Sequence, residues 1–244
     1  MGDDPLIDRA RRVWVELAGV PVAFPGAGGA EVVVAGGSLL CPPGWVGIVA
    51  IGDAAIATVP ADGVAAPVRR ALGGVPVPAL TDPDRFRAAV PVVDLLGPAT
   101  LAYLDEREFR PAGSAAVERI PRDHPDLVAL LASVSDADAQ ECGLRGITSP
   151  AFVVRDGTRT VAAAGYEWWP GGMAHICVLT APDLRGRGLA RIVASAAVAD
   201  GLRNGLLPQW RARPEPSRRV ARALGFRQLG SQLSAWVQVP QNVR

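Results

Sequence analysis

The run Ala174-His175-Ile176-Cys177-Val178-Leu179-Thr180-Ala181-Pro182-Asp183-Leu184-Arg185-Gly186-Arg187-Gly188-Leu189-Ala190 opens as an apolar strand and enters a turn of arginine and glycine. A helix of small residues follows, Ala190 through Ala199. Glycine has no Cβ, so the backbone at Gly186 and Gly188 can turn sharply and a ligand can come close. The first N–H groups of a helix have no partner inside it and sit at the positive end of its dipole. Strand, glycine turn and helix start together make a site for a phosphate-bearing ligand.

Two rival phosphate motifs are absent. A dinucleotide fingerprint needs a third glycine three residues after Gly188, and that position is Arg191. A P-loop needs Gly-Lys-Ser or Gly-Lys-Thr, and all 25 basic residues of the chain are arginine. What remains, Arg185-Gly186-Arg187-Gly188-Leu189-Ala190, resembles the acyl-CoA loop of the GNAT N-acetyltransferase superfamily: Arg or Gln, two residues, Gly, one residue, then Gly or Ala. Val178, Pro182 and Leu184 stand where that family carries a strand residue, a proline and an aromatic or apolar residue.

A second segment carries the same resemblance. Leu207 to Ala212 reads as a short strand, and Ser217 to Phe226 as a helix with Ser217 as N-cap and Gly225 in the left-handed position after its end. Val220 and Leu224 share a face, while Arg218, Arg219 and Arg222 take the rest. The family has a helix ending in Gly-Phe at about this distance from the glycine loop. The sheet is expected to finish with Arg227 to Val239.

The chain has 244 residues, of which 49% are hydrophobic and 20% charged, enough for a packed core in one or two domains. A net charge of +1 gives no bulk field to attract nucleic acid or an anionic membrane. Cys41, Cys142 and Cys177 form no close pair, which argues against a disulfide framework and against a zinc cluster. His124 and His175 are far apart, so no metal is expected. The start, Met1-Gly2-Asp3-Asp4-Pro5, lacks the apolar run of a signal peptide, and Val46 to Val59 is too short to span a bilayer. A soluble cytoplasmic protein is the expectation.

Residues 115–244 read as one α+β lobe, and residues 1–112 as a second, N-terminal α/β lobe, with Pro111-Ala112-Gly113-Ser114 as linker. The C-terminal lobe has a first strand at Ala116 to Ile120, helices at Pro125 to Val134 and Asp136 to Leu144, a hairpin of Ala151 to Arg155 with Thr160 to Trp169 around Asp156-Gly157, and the strand His175 to Thr180. The N-terminal lobe has a helix at Ile7 to Ala18, strands at Glu31 to Ala35 and within Val46 to Val59, helices at Val64 to Leu72 and Asp84 to Leu95, and a strand at Leu101 to Phe109; Leu96-Gly97-Pro98 reads as a helix-breaking turn. The order permits a degenerate copy of the same lobe, without a phosphate loop. The resemblance implies a mixed, mostly antiparallel, twisted sheet flanked by helices.

It also implies acetyl transfer from acetyl-CoA to a primary amine by direct attack, on a small-molecule or peptide acceptor. A lysine-like amine has a pKa of about 10.4, so near pH 7.4 only about one in a thousand is neutral and a base is needed. In the family, the strand before the loop grips the pantetheine arm; by position these residues are Cys177, Val178, Leu179 and Thr180. Arg185, Gly186, Arg187, Gly188, Leu189 and Ala190 take the pyrophosphate, and Ser217 stands where an asparagine usually bonds the pantetheine. The tyrosine that protonates the leaving thiolate in many members is Ala221 here, and the glutamate base of histone-type members falls at Ala174. The base is therefore Glu167 or His175. Tyr166, Trp168, Trp169 and Trp210 are candidates for lining the acceptor pocket. A chain that kept the loop and lost the chemistry, a non-enzymatic acyl-CoA-binding or regulatory protein, is the alternative.

Overall fold

A computed structural model describes residues 4–26, 28–113 and 117–238. The elements are α1 (Pro5–Ala18), β1 (Ala30–Val34), β2 (Val46–Ile51), β3 (Ala54–Val59), α2 (Asp62–Leu72), α3 (Pro83–Ala89), β4 (Val92–Tyr103), β5 (Glu118–Ile120), α4 (Pro125–Ala132), α5 (Asp136–Glu141), β6 (Ala151–Asp156), β7 (Arg159–Trp169), β8 (Met173–Thr180), α6 (Leu189–Arg203), β9 (Leu207–Ala212), α7 (Glu215–Ala223) and β10 (Arg227–Val237). The fold is α+β with mostly antiparallel strands. No helix among the described residues is long and apolar enough to cross a membrane.

The chain divides into two compact units: the residues up to Leu101 with those from Gln228, and Ala102–Arg227. This differs from the division at 112–115 that the linker motif suggested. Residues 110–113 are tied to the second unit, where Arg110 N–H donates to the Leu224 carbonyl and Ala112 N–H to Ser195 Oγ. Ser114 and residues 115–116 lie outside the described residues. β10 joins the first unit because it pairs antiparallel with β2, Leu233 opposite Ile48. Such a partner, nearly 200 residues away in sequence, leaves no local signal.

In the first unit the strand order is β1-β3-β2-β10-β4, with β1 and β3 parallel and β3, β2 and β10 antiparallel to one another in turn. Its core joins Val46, Ile48 and Ala57 of the sheet to Val64 and Val68 of α2 and Leu233 of β10. The helix expected over Asp84 to Leu95 stops at Ala89, because Pro91 cannot donate to the ladder of a continuing helix. Leu96-Gly97-Pro98 is no turn; it lies within β4. Gly97 has φ +112°, and a Cβ there would stand 2.8 Å from the Gln232 carbonyl oxygen, so a glycine lets the strand pass. The strand expected to reach Phe109 ends at Tyr103.

The second unit has the order β9-β8-β7-β6-β5. β5 to β8 are antiparallel, and β8 and β9 are parallel. The small face of α6, with Ala194, Ala197 and Gly201, lies close on the sheet: a Cβ at Gly201 would stand 3.3 Å from that of Ala174. α7 begins at Glu215 with Pro214 as N-cap, so Ser217 is inside the helix and does not cap it. Its end is a Schellman turn: Phe226 N–H bonds the Ala221 carbonyl, Gly225 N–H bonds that of Arg222, and Gly225 has φ +99°. A Cβ at Gly225 would fall 2.0 Å from the Glu108 carbonyl oxygen, so only glycine fits.

Candidate functional site

β8 and β9 start as neighbours and then part. The ladder runs Met173↔Leu207, Ala174↔Pro208 and His175↔Gln209 and goes no further. From Ile176 onward the β9-facing edge of β8 has no strand partner. Its other edge stays paired with β7 through Ala162↔Thr180. A cleft of about 430 Å³ occupies the opening, walled by Ile176, Val178, Leu179 and Thr180 on one side and Trp210, Arg211 and Ala212 on the other. Arg185, Gly186, Gly188, Leu189, Ala190 and Arg191 line it at the start of α6.

That end has an open glycine turn and an uncapped helix start. Gly186 and Gly188 have φ +80° and +79°, and nothing lies within 4 Å of a Cβ placed on either. Gly188 is the N-cap of α6 and offers no side chain to the helix start. Ile192 N–H bonds back to the Gly188 carbonyl, which leaves the N–H groups of Leu189, Ala190 and Arg191 without a carbonyl one turn behind them in the helix. Arg185 reaches Asp138 on α5 (Nη2 to Oδ2, 3.0 Å), and this contact, helped by Ser135, holds the Asp138 carboxyl below the usual carboxylate range. Arg213 pairs with Glu141 on the same helix.

At the end of β8 stands an unsatisfied group. Thr180 is 9% exposed, lines the cleft, and its hydroxyl has no hydrogen-bond partner. Buried polar atoms are nearly always paired, so an orphan on a residue that lines a cavity is a candidate ligand contact. Val178 and Leu179 share this wall, whereas Cys177 is buried behind it with its thiol pushed up to about 12, chiefly by burial.

The remaining candidates separate. Ser217 lines the cleft, but its Oγ already accepts from Trp210 Nε1 at 2.9 Å. Trp210 forms the wall and meets Phe226 edge-on, centroids 5.5 Å apart. Tyr166 faces α6, where its hydroxyl donates to Asp200 Oδ2 at 2.9 Å, and it does not line the cleft. Trp168 is 65% exposed. Trp169 has His175 stacked on its ring at 4.6 Å and the Arg211 guanidinium over it at 5.5 Å. Arg187 lies beside Asp183 near the loop.

His175 and Glu167 are register partners on β8 and β7. His175 is buried, and Nδ1 donates to Gln209 Oε1 at 2.6 Å. Burial, with the nearby Arg211 charge, pushes its pKa down to about 3, against the opposing pull of the Gln209 bond. Glu167 is half-buried, and its carboxylate lies toward Gly146. Ala221, at the position of the missing tyrosine, is buried in α7.

Sequence reasoning passed over Ile176, Gln209, Asp138 and Glu141. Gln209 was findable only as the neighbour of His175 across a parallel pair. The two acids sit on a short helix whose place over the cleft no local pattern announces.

With this geometry in view, residues 150–231 match the family model described as GNAT acetyltransferase, a segment that holds the hairpin, the cleft strands, the glycine loop and the Gly-Phe helix. Among solved structures the chain is similar to a protein from Novosphingobium aromaticivorans described as a GNAT-family acetyltransferase, at 21% identity over 60% of this chain and 66% of that one, TM-score 0.49. It is also similar to a GCN5-related N-acetyltransferase from Kribbella flavida (16% identity, 58% of each chain, TM-score 0.46). A third is a tandem GNAT protein from the clavulanic acid biosynthesis pathway (18% identity, 63% of this chain and 58% of that one, TM-score 0.41). The matches thus span between 58% and 66% of those structures' own lengths. No curated protein matches.

Proposed function

We propose that the cleft binds an acyl-CoA and that the protein transfers the acetyl group of acetyl-CoA to a primary amine of a small molecule or peptide. The observation that carries this reading is the cleft itself: a free strand edge with an unpaired Thr180 hydroxyl, leading to a glycine turn and an uncapped helix start. These features suit the two parts of the co-substrate's arm, pyrophosphate and pantetheine. Pyrophosphate oxygens accept from the N–H groups of Arg187 to Ala190. The pantetheine amides pair with the free edge of Cys177 to Thr180 as an added strand would. The Thr180 hydroxyl finds its partner on the same arm.

In the reaction the amine nitrogen attacks the thioester carbonyl carbon, the C–S bond breaks, and the nitrogen loses a proton. His175 is a poor acceptor for it, because burial and the nearby Arg211 charge suppress its basicity. The remaining candidate is Glu167, whose side chain does not line the cleft and which would take the proton through water. Ala221 cannot protonate the departing thiolate, so water does; a thiol leaves well without help, and the loss slows the step without stopping it.

The test is thiol release from acetyl-CoA against a panel of amines, with wild type and Glu167→Gln. Release with at least one amine is expected. Glu167→Gln should lower turnover about a hundredfold at unchanged acetyl-CoA KM. Binding without release for any amine would favour the second reading that Ala221 recommends, an acyl-CoA-binding protein without catalysis.

A further inference from the structure

Where β8 and β9 part, the cleft is lined by two large apolar side chains. His175 and Gln209 are the last paired residues of β8 and β9, and the next residue on each strand, Ile176 and Trp210, lines the cleft. Both are buried. Trp210 is fixed twice over, by the bond from its Nε1 to Ser217 Oγ and by its edge contact with Phe226. From Ile176 to Thr180 the strand advances about 13 Å, at about 3.3 Å per residue. A linear ligand anchored by phosphate at Gly188 and laid along β8 runs toward Ile176 and Trp210.

We infer that Trp210, locked by Ser217 and Phe226, sets the acyl length: the site takes acyl-CoAs with two or three acyl carbons and rejects longer chains. This rests on the acyl-CoA reading above. Close-packed surroundings accommodate an extra methylene only by moving side chains off their rotamers. Here the ring that must move would also give up a buried N–H bond and an aromatic contact. A longer chain has no easier exit toward the opposite wall, where buried Ile176 stands on a strand fully paired with β7.

Calorimetric titration with free CoA, acetyl-CoA, butyryl-CoA and hexanoyl-CoA tests this on the whole chain. Wild type should bind hexanoyl-CoA at least tenfold more weakly than acetyl-CoA. Trp210→Leu should bring the two within about twofold, and Trp210→Phe, which keeps a ring but loses the anchor, should fall between. If circular dichroism shows that Trp210→Leu does not fold, Trp210→Phe and Ile176→Val decide, with a drop of at least threefold in the hexanoyl-to-acetyl ratio expected in one of them. Equal affinity for both chains in wild type, or a ratio unchanged in folded variants, overturns the assignment. Failure of all four ligands, free CoA included, to bind wild type would sink the acyl-CoA reading and this inference with it. Binding of CoA without discrimination sinks the inference alone.

Discussion

Each unit contains a strand that has a parallel neighbour and runs into a helix, and only one of the two corners opens. In the first unit, β3 keeps its parallel partner β1 through Val34↔Val59, the last residue of the strand, and keeps β2 on the other side. Pro60 and Ala61 alone connect it to α2, with no glycine. In the second unit, β8 loses β9 after His175, five residues before its own end, and the connection to α6 runs from Ala181 to Gly188 through two left-handed glycines. The threonines near the two strand ends record the difference. The Thr58 hydroxyl donates to Ser38 Oγ at 3.0 Å, while that of Thr180, a residue lining the cleft, is buried and unpaired. A site is thus made by where pairing stops, and strand order by itself does not reveal it.

The strongest way to break the comparison is to put a side chain on the glycine of the open corner. Gly188→Val strains a residue at φ +79° by at least about 1–2 kcal/mol, while its Cβ would meet no protein atom within 4 Å. The variant should fold, and its side chain should stand where the pyrophosphate is proposed to bind. Affinity for acetyl-CoA in calorimetry should fall at least a hundredfold, about 2.7 kcal/mol. Ala61→Gly, which gives the closed corner a glycine, should create no binding there. Unchanged affinity in a folded Gly188→Val protein would show that the two corners do not differ in the way described.

A second effect, somewhat smaller, separates the units by acid. Both histidines belong to the second unit. His175 stays neutral in the fold because its pKa is pushed down to about 3, against an unfolded value of about 6.5. The unfolded chain then binds a proton that the folded one does not, so stability is full above about pH 6.5 and falls as pH drops toward 3. Asp126, Asp138 and Asp183, each held low chiefly by an arginine, add their own losses only as pH falls through the ordinary carboxylate range, below about 4.5. Between pH 7.5 and 5 the histidine should therefore cost about 2 kcal/mol in urea unfolding. In His175→Gln most of that slope should vanish. An equal slope in the variant would place the acid sensitivity elsewhere.

The sequence was most readable where one residue's backbone preference settles the matter. Gly186, Gly188 and Gly225 take the left-handed conformations their positions required, and the hairpin turns at Asp156-Gly157 as written. The limits of β9, Leu207–Ala212, were legible because Asn204-Gly205 and Arg213-Pro214 punctuate the chain on either side. What stayed hidden depends on distant partners. Nothing near Arg227 to Val237 tells that the strand pairs with Val46 to Ile51. Leu96-Gly97-Pro98 carries turn residues yet lies in a strand, because the same glycine freedom that makes a turn also lets a strand pass close to Gln232. Ser217 had the chemistry of an N-cap, but Pro214 starts the helix earlier, as a proline-flanked first turn allows. Four aromatic residues looked alike as pocket candidates; only their partners, Asp200 for Tyr166, His175 for Trp169 and Ser217 for Trp210, tell them apart.

The finest test of the comparison is a pair of identical substitutions expected to act with opposite signs. Thr58→Val removes the donor in a satisfied buried pair and leaves Ser38 Oγ short of a partner, although Ser38 still accepts from Leu40 N–H. Losing one member of a buried hydrogen bond should destabilise the fold by about 1 kcal/mol. Thr180→Val removes a buried hydroxyl that bonds nothing in the protein, and a group of the same shape that needs no partner replaces it. The free protein should be as stable as wild type or more stable by up to about 1 kcal/mol. That hydroxyl is proposed to bond the acyl-CoA arm, so the same variant should bind acetyl-CoA about three- to tenfold more weakly, the worth of one neutral hydrogen bond. Thr58→Val should leave acetyl-CoA affinity within error of wild type. Urea unfolding and calorimetry on the two variants give four numbers. If Thr180→Val is destabilised as much as Thr58→Val, its hydroxyl has a partner within the fold, and the cleft loses the feature that most clearly distinguishes it from the closed corner.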